Sequence, residues 1–198
     1  MRRLLCSIVL LGTLISLQYF ACHRKDRGAL SSQTEWEQQA RSDLEKAKAE
    51  LSKQPNSAFW RFQAGMCYVA LRDFAAAKVE LRKGVDLDPD NPINYYGLAG
   101  VSKDLGESSA EIDALQKALS LDPTNPLGRF ALAEAFERGG KRQEALAQYK
   151  LSRENLVYAK KEESGDVYYD SRKNVYALGD LREKVGGRIR ALERGPLE

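Results

Sequence analysis

The chain has 198 residues, with 31 Lys and Arg against 28 Asp and Glu, one histidine and three cysteines. Its formal charge of +3 drops to about +1 without Arg2 and Arg3, which leaves neither a nucleic-acid footprint nor a basic membrane patch. The only histidine, His23, lies near the N-terminus, so a Ser-His-Asp arrangement and a His/Cys zinc cluster are excluded. Cys6 and Cys22 lie in or beside the leader, leaving Cys67 without a disulfide partner.

Arg2 and Arg3 precede an apolar run from Leu4 to Cys22, and the polar residues 23–27 follow. This is an address, separate from the fold. Three readings stay open. Ala21-Cys22 resembles the lipobox of bacterial lipoproteins, whose cysteine carries diacylglycerol; Tyr19 departs from it, since a Leu or small aliphatic residue is usual there. Ordinary signal cleavage after Ala21 meets the same bulky Tyr19. An uncleaved anchor needs ~20 apolar residues, close to the length of this run. The lipoprotein reading makes residues 1–21 a leader, Cys22 the lipidation site and residues 22–34 a flexible tether. Resemblance to lipoproteins sorted in Gram-negative bacteria then implies the outer membrane, periplasmic side, because His23 and not Asp follows the cysteine. The alternative is an N-terminal signal anchor.

Residues 35–55 place Ala40, Leu44, Ala47 and Leu51 on one stripe and end at Pro55, as a capping helix would. Beyond them the segments Leu87-Asp88-Pro89-Asp90-Asn91-Pro92 and Leu121-Asp122-Pro123-Thr124-Asn125-Pro126 are near copies, 34 residues apart. Each reads as a seam between helices. The residue before a proline leaves the helical region, Ser57, Asn91 and Asn125 can cap the next helix, and Pro92 and Pro126 suit its first position. First helices are expected over residues 59–71, 93–105 and 127–138, with turns at Gly106 and Gly139-Gly140. Second helices follow, with Val79, Leu81 and Val85, then Ile112, Leu115 and Leu119, at helical spacing.

A fixed period of this length marks a stacked helical array. Gly65, Tyr68, Phe74, Ala77, Leu81 and Pro89, then Tyr95, Leu98, Ala99, Gly106, Leu115, Ala118 and Pro123, then Leu132, Ala133, Phe136, Gly140, Ala145 and Tyr149 resemble the tetratricopeptide repeat family. The resemblance implies an all-α fold: a helix-turn-helix solenoid of about three repeats over residues 56–157, with an N-terminal half-repeat. Glu111 stands in place of a small residue, Ser102 in place of an aromatic, and Val157 where a third proline would fall. The missing proline suggests one long helix over residues 143–163. Val175, Leu178, Leu181, Val185, Ile189 and Leu192 suggest C-terminal capping helices within residues 158–198, interrupted at Gly186-Gly187. Val167-Tyr168-Tyr169 either packs against the array, as buried aromatic residues generally do, or serves a partner.

The resemblance also implies that first helices line a concave, partner-binding face. Phe62, Tyr96 and Phe130 share one register on it; Phe59, Met66 and Val69, then Lys103 and Asp104, then Glu134, Glu137 and Arg138 neighbour them. The groove is therefore expected to be apolar at one end and charged at the other, with the three aromatic residues either filling the stack or contacting a peptide. The family's clamp for C-terminal carboxylates needs a Lys, Asn and Arg set, and Phe62, Met66 and Val69 with Lys103 alone do not supply it. A hydrophobic grip on a protein or peptide partner fits better. No cofactor, metal, nucleic acid or catalytic site is expected. Two rivals remain: self-association through the repeat groove or the C-terminal helices, and an enzyme accessory or degenerate enzyme subunit dependent on Cys67.

Overall fold

The computed structural model describes residues 30–162, 165–169 and 175–194. The leader and Cys22 lie outside them. Among the described residues no helix is long and apolar enough to cross a membrane. The chain divides between Leu105 and Gly106 into two compact units.

The first unit holds α1 (Leu30–Lys53), α2 (Ala58–Ala70), α3 (Phe74–Leu87) and α4 (Pro92–Asp104), each packed on the next. α1 buries Ala40, Leu44 and Ala47, and Leu44 and Ala47 form a cluster with Ala64 and Cys67 that Leu51, Trp60, Tyr68 and Leu71 extend. The half-repeat thus covers the first helix pair, as its stripe requires. It begins at Leu30, inside the segment expected to be tether. Once packing holds the later turns, each added polar residue closes another helical hydrogen bond at little cost. The approach of α2 and α3 is set at Gly65, where a Cβ would lie 2.6 Å from Leu81 Cγ.

The second unit holds α5 (Ser108–Leu121), α6 (Pro126–Arg138) and α7 (Arg142–Asn155). A short 3-10 turn (Leu156–Tyr158), β1 (Lys160–Glu162), β2 (Gly165–Tyr169), β3 (Val175–Ala177) and α8 (Leu181–Arg194) complete it. The strands form an antiparallel sheet in the order β1-β2-β3, with Lys160 opposite Val167 and Tyr168 opposite Tyr176. The all-α repeats therefore carry a small sheet that helical spacing did not reveal. The helix expected to reach residue 163 stops at Asn155, the register at which α3 and α5 also stop, although no proline follows. A 3-10 turn over Leu156–Tyr158 ends the helix, Ala159 is extended, and pairing of Lys160–Glu162 with β2 takes up main-chain groups that a longer helix would have used. Val175 and Leu178 precede α8, which runs unbroken through Gly186-Gly187 and buries Leu181, Val185 and Ile189.

The seams behave as their sequence demands. Ser57, Asn91 and Asn125 accept hydrogen bonds from the amides of Trp60, Ile93 and Gly128, each worth about 1 kcal/mol to its helix. In the second unit Asn125 Nδ2 also donates to Asp122 at 3.0 Å, and the Tyr168 hydroxyl donates to the same carboxylate at 2.5 Å. Tyr168, 3% exposed, pins the sheet to the seam. Val167-Tyr168-Tyr169 thus packs through its central residue.

One device was not read from the sequence. Arg61 bonds the Pro55 carbonyl and the Glu80 carboxylate, and Arg129, two repeats later, bonds the Pro123 carbonyl and the Gln148 side chain. Both arginines tie a seam to the second helix of their own repeat.

Candidate functional site

The residues singled out from sequence fall into both units. In the first, Phe59 is 52% exposed and Lys103 is exposed, while Phe62 and Tyr96 are half-buried. The Phe62 ring lies against α4, its Cε2 3.2 Å from where a Cβ on Gly97 would stand. Met66 and Val69 are buried. The expectation that they offer apolar surface is corrected here: facing the helix stack serves them better than facing water, because a buried side chain of this size gains about 1.5–3 kcal/mol. Of the apolar residues expected on this face, Phe59 is left exposed and Phe62 and Tyr96 half-buried.

In the second unit Phe130 is buried, its ring 5.4 Å from that of Tyr149. Glu137 accepts the Tyr149 hydroxyl at 2.7 Å and lies 3.4 Å from Arg188 of α8. Burial first, and then this bond to Glu137, push the Tyr149 phenol far above its usual range, so it stays a neutral donor. Arg138 turns to the buried Glu111 carboxylate at 2.5 Å. Glu137 and Arg138, expected to make a charged groove end, are thus engaged within the unit. Glu134 is half-buried and lines an open cleft of about 410 Å³ with Phe130, Lys184, Gly187, Arg188 and Ala191. The four α8 residues were missed from sequence. Their i, i+3, i+4, i+7 spacing marks one helix face, but spacing cannot say which surface that face meets.

Cys67 is buried, and desolvation, with a smaller contribution from the Asp43 carboxylate, pushes its thiol up to about 12. Such a thiol is a core group with almost no thiolate at neutral pH. Among the described residues no group of three or more His, Cys, Asp and Glu could hold a metal ion.

Helix pairs joined by proline seams, with small residues at the crossings, agree with the family comparison: residues 61–91 and 94–125 match the tetratricopeptide repeat. The chain carries tetratricopeptide repeats. The third helix pair, α6 with α7, repeats the architecture beyond the matched residues. Solved structures share the fold of these repeats. MamA is 20% identical, with a TM-score of 0.54 over 76% of this chain and 85% of its own. The Yersinia enterocolitica type III secretion chaperone SycD, solved in complex with a peptide of the translocator YopD, is 15% identical, with a TM-score of 0.57 over 68% of this chain and 90% of its own. A thermophilic tetratricopeptide-repeat protein of Thermus thermophilus is 24% identical, with a TM-score of 0.57 over 74% of this chain and 71% of its own. No curated protein matches the chain by sequence.

Proposed function

We propose that this protein is a membrane-tethered tetratricopeptide-repeat adaptor that binds a peptide segment of a partner protein in a bacterial envelope, during assembly or secretion. The observation that carries the binding reading is Phe59, 52% exposed on the same helix as the half-buried Phe62 three residues on, with half-buried Tyr96 in the register of Phe62 one repeat later. An aromatic residue left open on a helix face marks a contact surface when others adjoin it. SycD, of similar fold, was solved with a bound peptide, which supports the same use of the repeats here. The tether rests on sequence alone: the apolar run that ends at Ala21-Cys22 supports lipidation of Cys22, and several acyl chains on one cysteine hold a protein stably at a membrane.

Two measurements test this reading. A photoreactive residue at Phe62 of the full chain should crosslink a partner in cells, and the same residue at the exposed helix position Lys117 should not. Absence of an adduct specific to Phe62 would sink the binding reading. Radiolabelled fatty acid should enter the wild type and not Cys22→Ser; label that persists in the variant would remove the lipoprotein.

A further inference from the structure

The cleft in the second unit has an apolar wall of Phe130, Gly187 and Ala191 and a charged rim of Glu134, Lys184 and Arg188. Each cation of the rim has a carboxylate neighbour. Lys184 Nζ is held by Asp180 at 2.8 Å, Arg188 faces Glu137 at 3.4 Å, and Glu137 also accepts from Tyr149. Glu134 alone of the rim makes no hydrogen bond or ion pair among the described residues. Among the described residues that leaves the half-buried Glu134 as the rim carboxylate without a cationic neighbour.

Gly187 adds a second, steric observation. Glycine inside a helix is unfavourable relative to alanine. Gly187 lies within α8, and a Cβ there would meet no atom within 4 Å. Packing therefore does not call for glycine at this position. What its absent side chain does is keep the cleft wall flat beside Phe130 and Ala191. A flat apolar wall ending at a carboxylate matches a long side chain with a methylene stem and a cationic head. The aromatic ring in the wall suits a cation as well.

We infer that this cleft receives a lysine or arginine side chain of the peptide partner, its stem along Gly187 and Ala191 and its charge at Glu134. The inference rests on the peptide-binding reading and adds the anchor residue to it.

A synthetic peptide library with one fixed position, varied among Arg, Lys, Leu, Glu and Gln, tests it when retained on the full chain in detergent solution. The wild type should enrich Arg and Lys about tenfold over Leu and Glu at that position, the preference one charge-assisted contact supports. Glu134→Gln should abolish the preference, and Glu134→Lys should reverse it toward Glu. Gly187→Leu should lose retention while unfolding at the same or a higher temperature, because leucine is the better helix former. An apolar preference untouched by the Glu134 variants would overturn the inference and leave peptide binding standing. A wild-type preference for Glu would also overturn it, by assigning the cleft to Lys184 and Arg188. Retention of no peptide would overturn it too, and crosslinking from Phe62 then decides the broader reading separately.

Discussion

Glu111 is buried where the repeat normally takes a small residue, and the Arg138 guanidinium meets its carboxylate at 2.5 Å. The departure at one position is answered by a charge on the next first helix. Removing Arg138 strands a buried carboxylate, whereas removing both partners leaves only a packing change. Arg138 is partly solvated, so Arg138→Ala should cost about 1–3 kcal/mol, below the range for fully buried pairs. Glu111→Ala with Arg138→Ala should recover much of that loss. Urea unfolding of the four variants in a double-mutant cycle measures the coupling, and strict additivity would refute it.

Arg72 occupies the left-handed turn between α2 and α3 with φ of +60°, in the register where Gly106 and Gly140 have φ of +74° and +72°. A side chain is disfavoured there, and its stacking over Phe74 at 5.8 Å returns only part of the difference. Arg72→Gly should stabilise the protein by about 0.5–1 kcal/mol, and Gly140→Ala should destabilise it by a similar amount. Thermal unfolding midpoints of the two variants should move in opposite directions.

Glu80 links stability to pH. Burial would raise its carboxyl, but hydrogen bonds from Lys83 at 2.8 Å and Arg61 at 2.7 Å outweigh burial and hold it below the usual range. A folded-state pKa below the unfolded value, about 4.3 for glutamate, makes this contribution fully present above that pH. It is lost as pH falls through the lower folded value. Glu80→Gln should therefore be less stable at pH 7 by up to about 1 kcal/mol, with the difference from wild type narrowing below about pH 4. Urea midpoints across pH 3–7 check it, and a constant difference would contradict it.

Cys67 should resist alkylation. With its thiol pushed up to about 12, the thiolate fraction at pH 8 is on the order of a thousandfold below that of an ordinary cysteine. Iodoacetamide should label the native protein slowly and the urea-unfolded protein at a normal rate, as followed by mass spectrometry. Rapid labelling of the native protein together with loss of partner binding would revive the Cys67-dependent accessory reading.

The repeats were legible because their determinants are local. Pro89 and Pro123 stop helices through their own rings, and Asn91 and Asn125 cap the next helices through their own side chains. The sheet was not legible: Val175 and Leu178 fall at helical spacing from Leu181 and Val185, and only the pairing of β2 with β3 distinguishes strand from helix there. The site was half legible. The register shared by Phe62, Tyr96 and Phe130 put them on equivalent helix faces, yet burial sorted them differently, with Phe130 closed against Tyr149 and Phe62 left half open.

By itself, then, the sequence determined the repeat, its period, its caps and the stripe that α1 lays on the first helix pair. Each of these depends on backbone preferences and side chains within a few residues of one another. Tertiary structure alone decided that Arg138 answers Glu111, that Tyr168 clamps the seam at Asp122, and that the Gly187 face of α8 stands across a cleft from Glu134. Those relationships join residues far apart in the chain, where charge and shape meet only after the helices have packed.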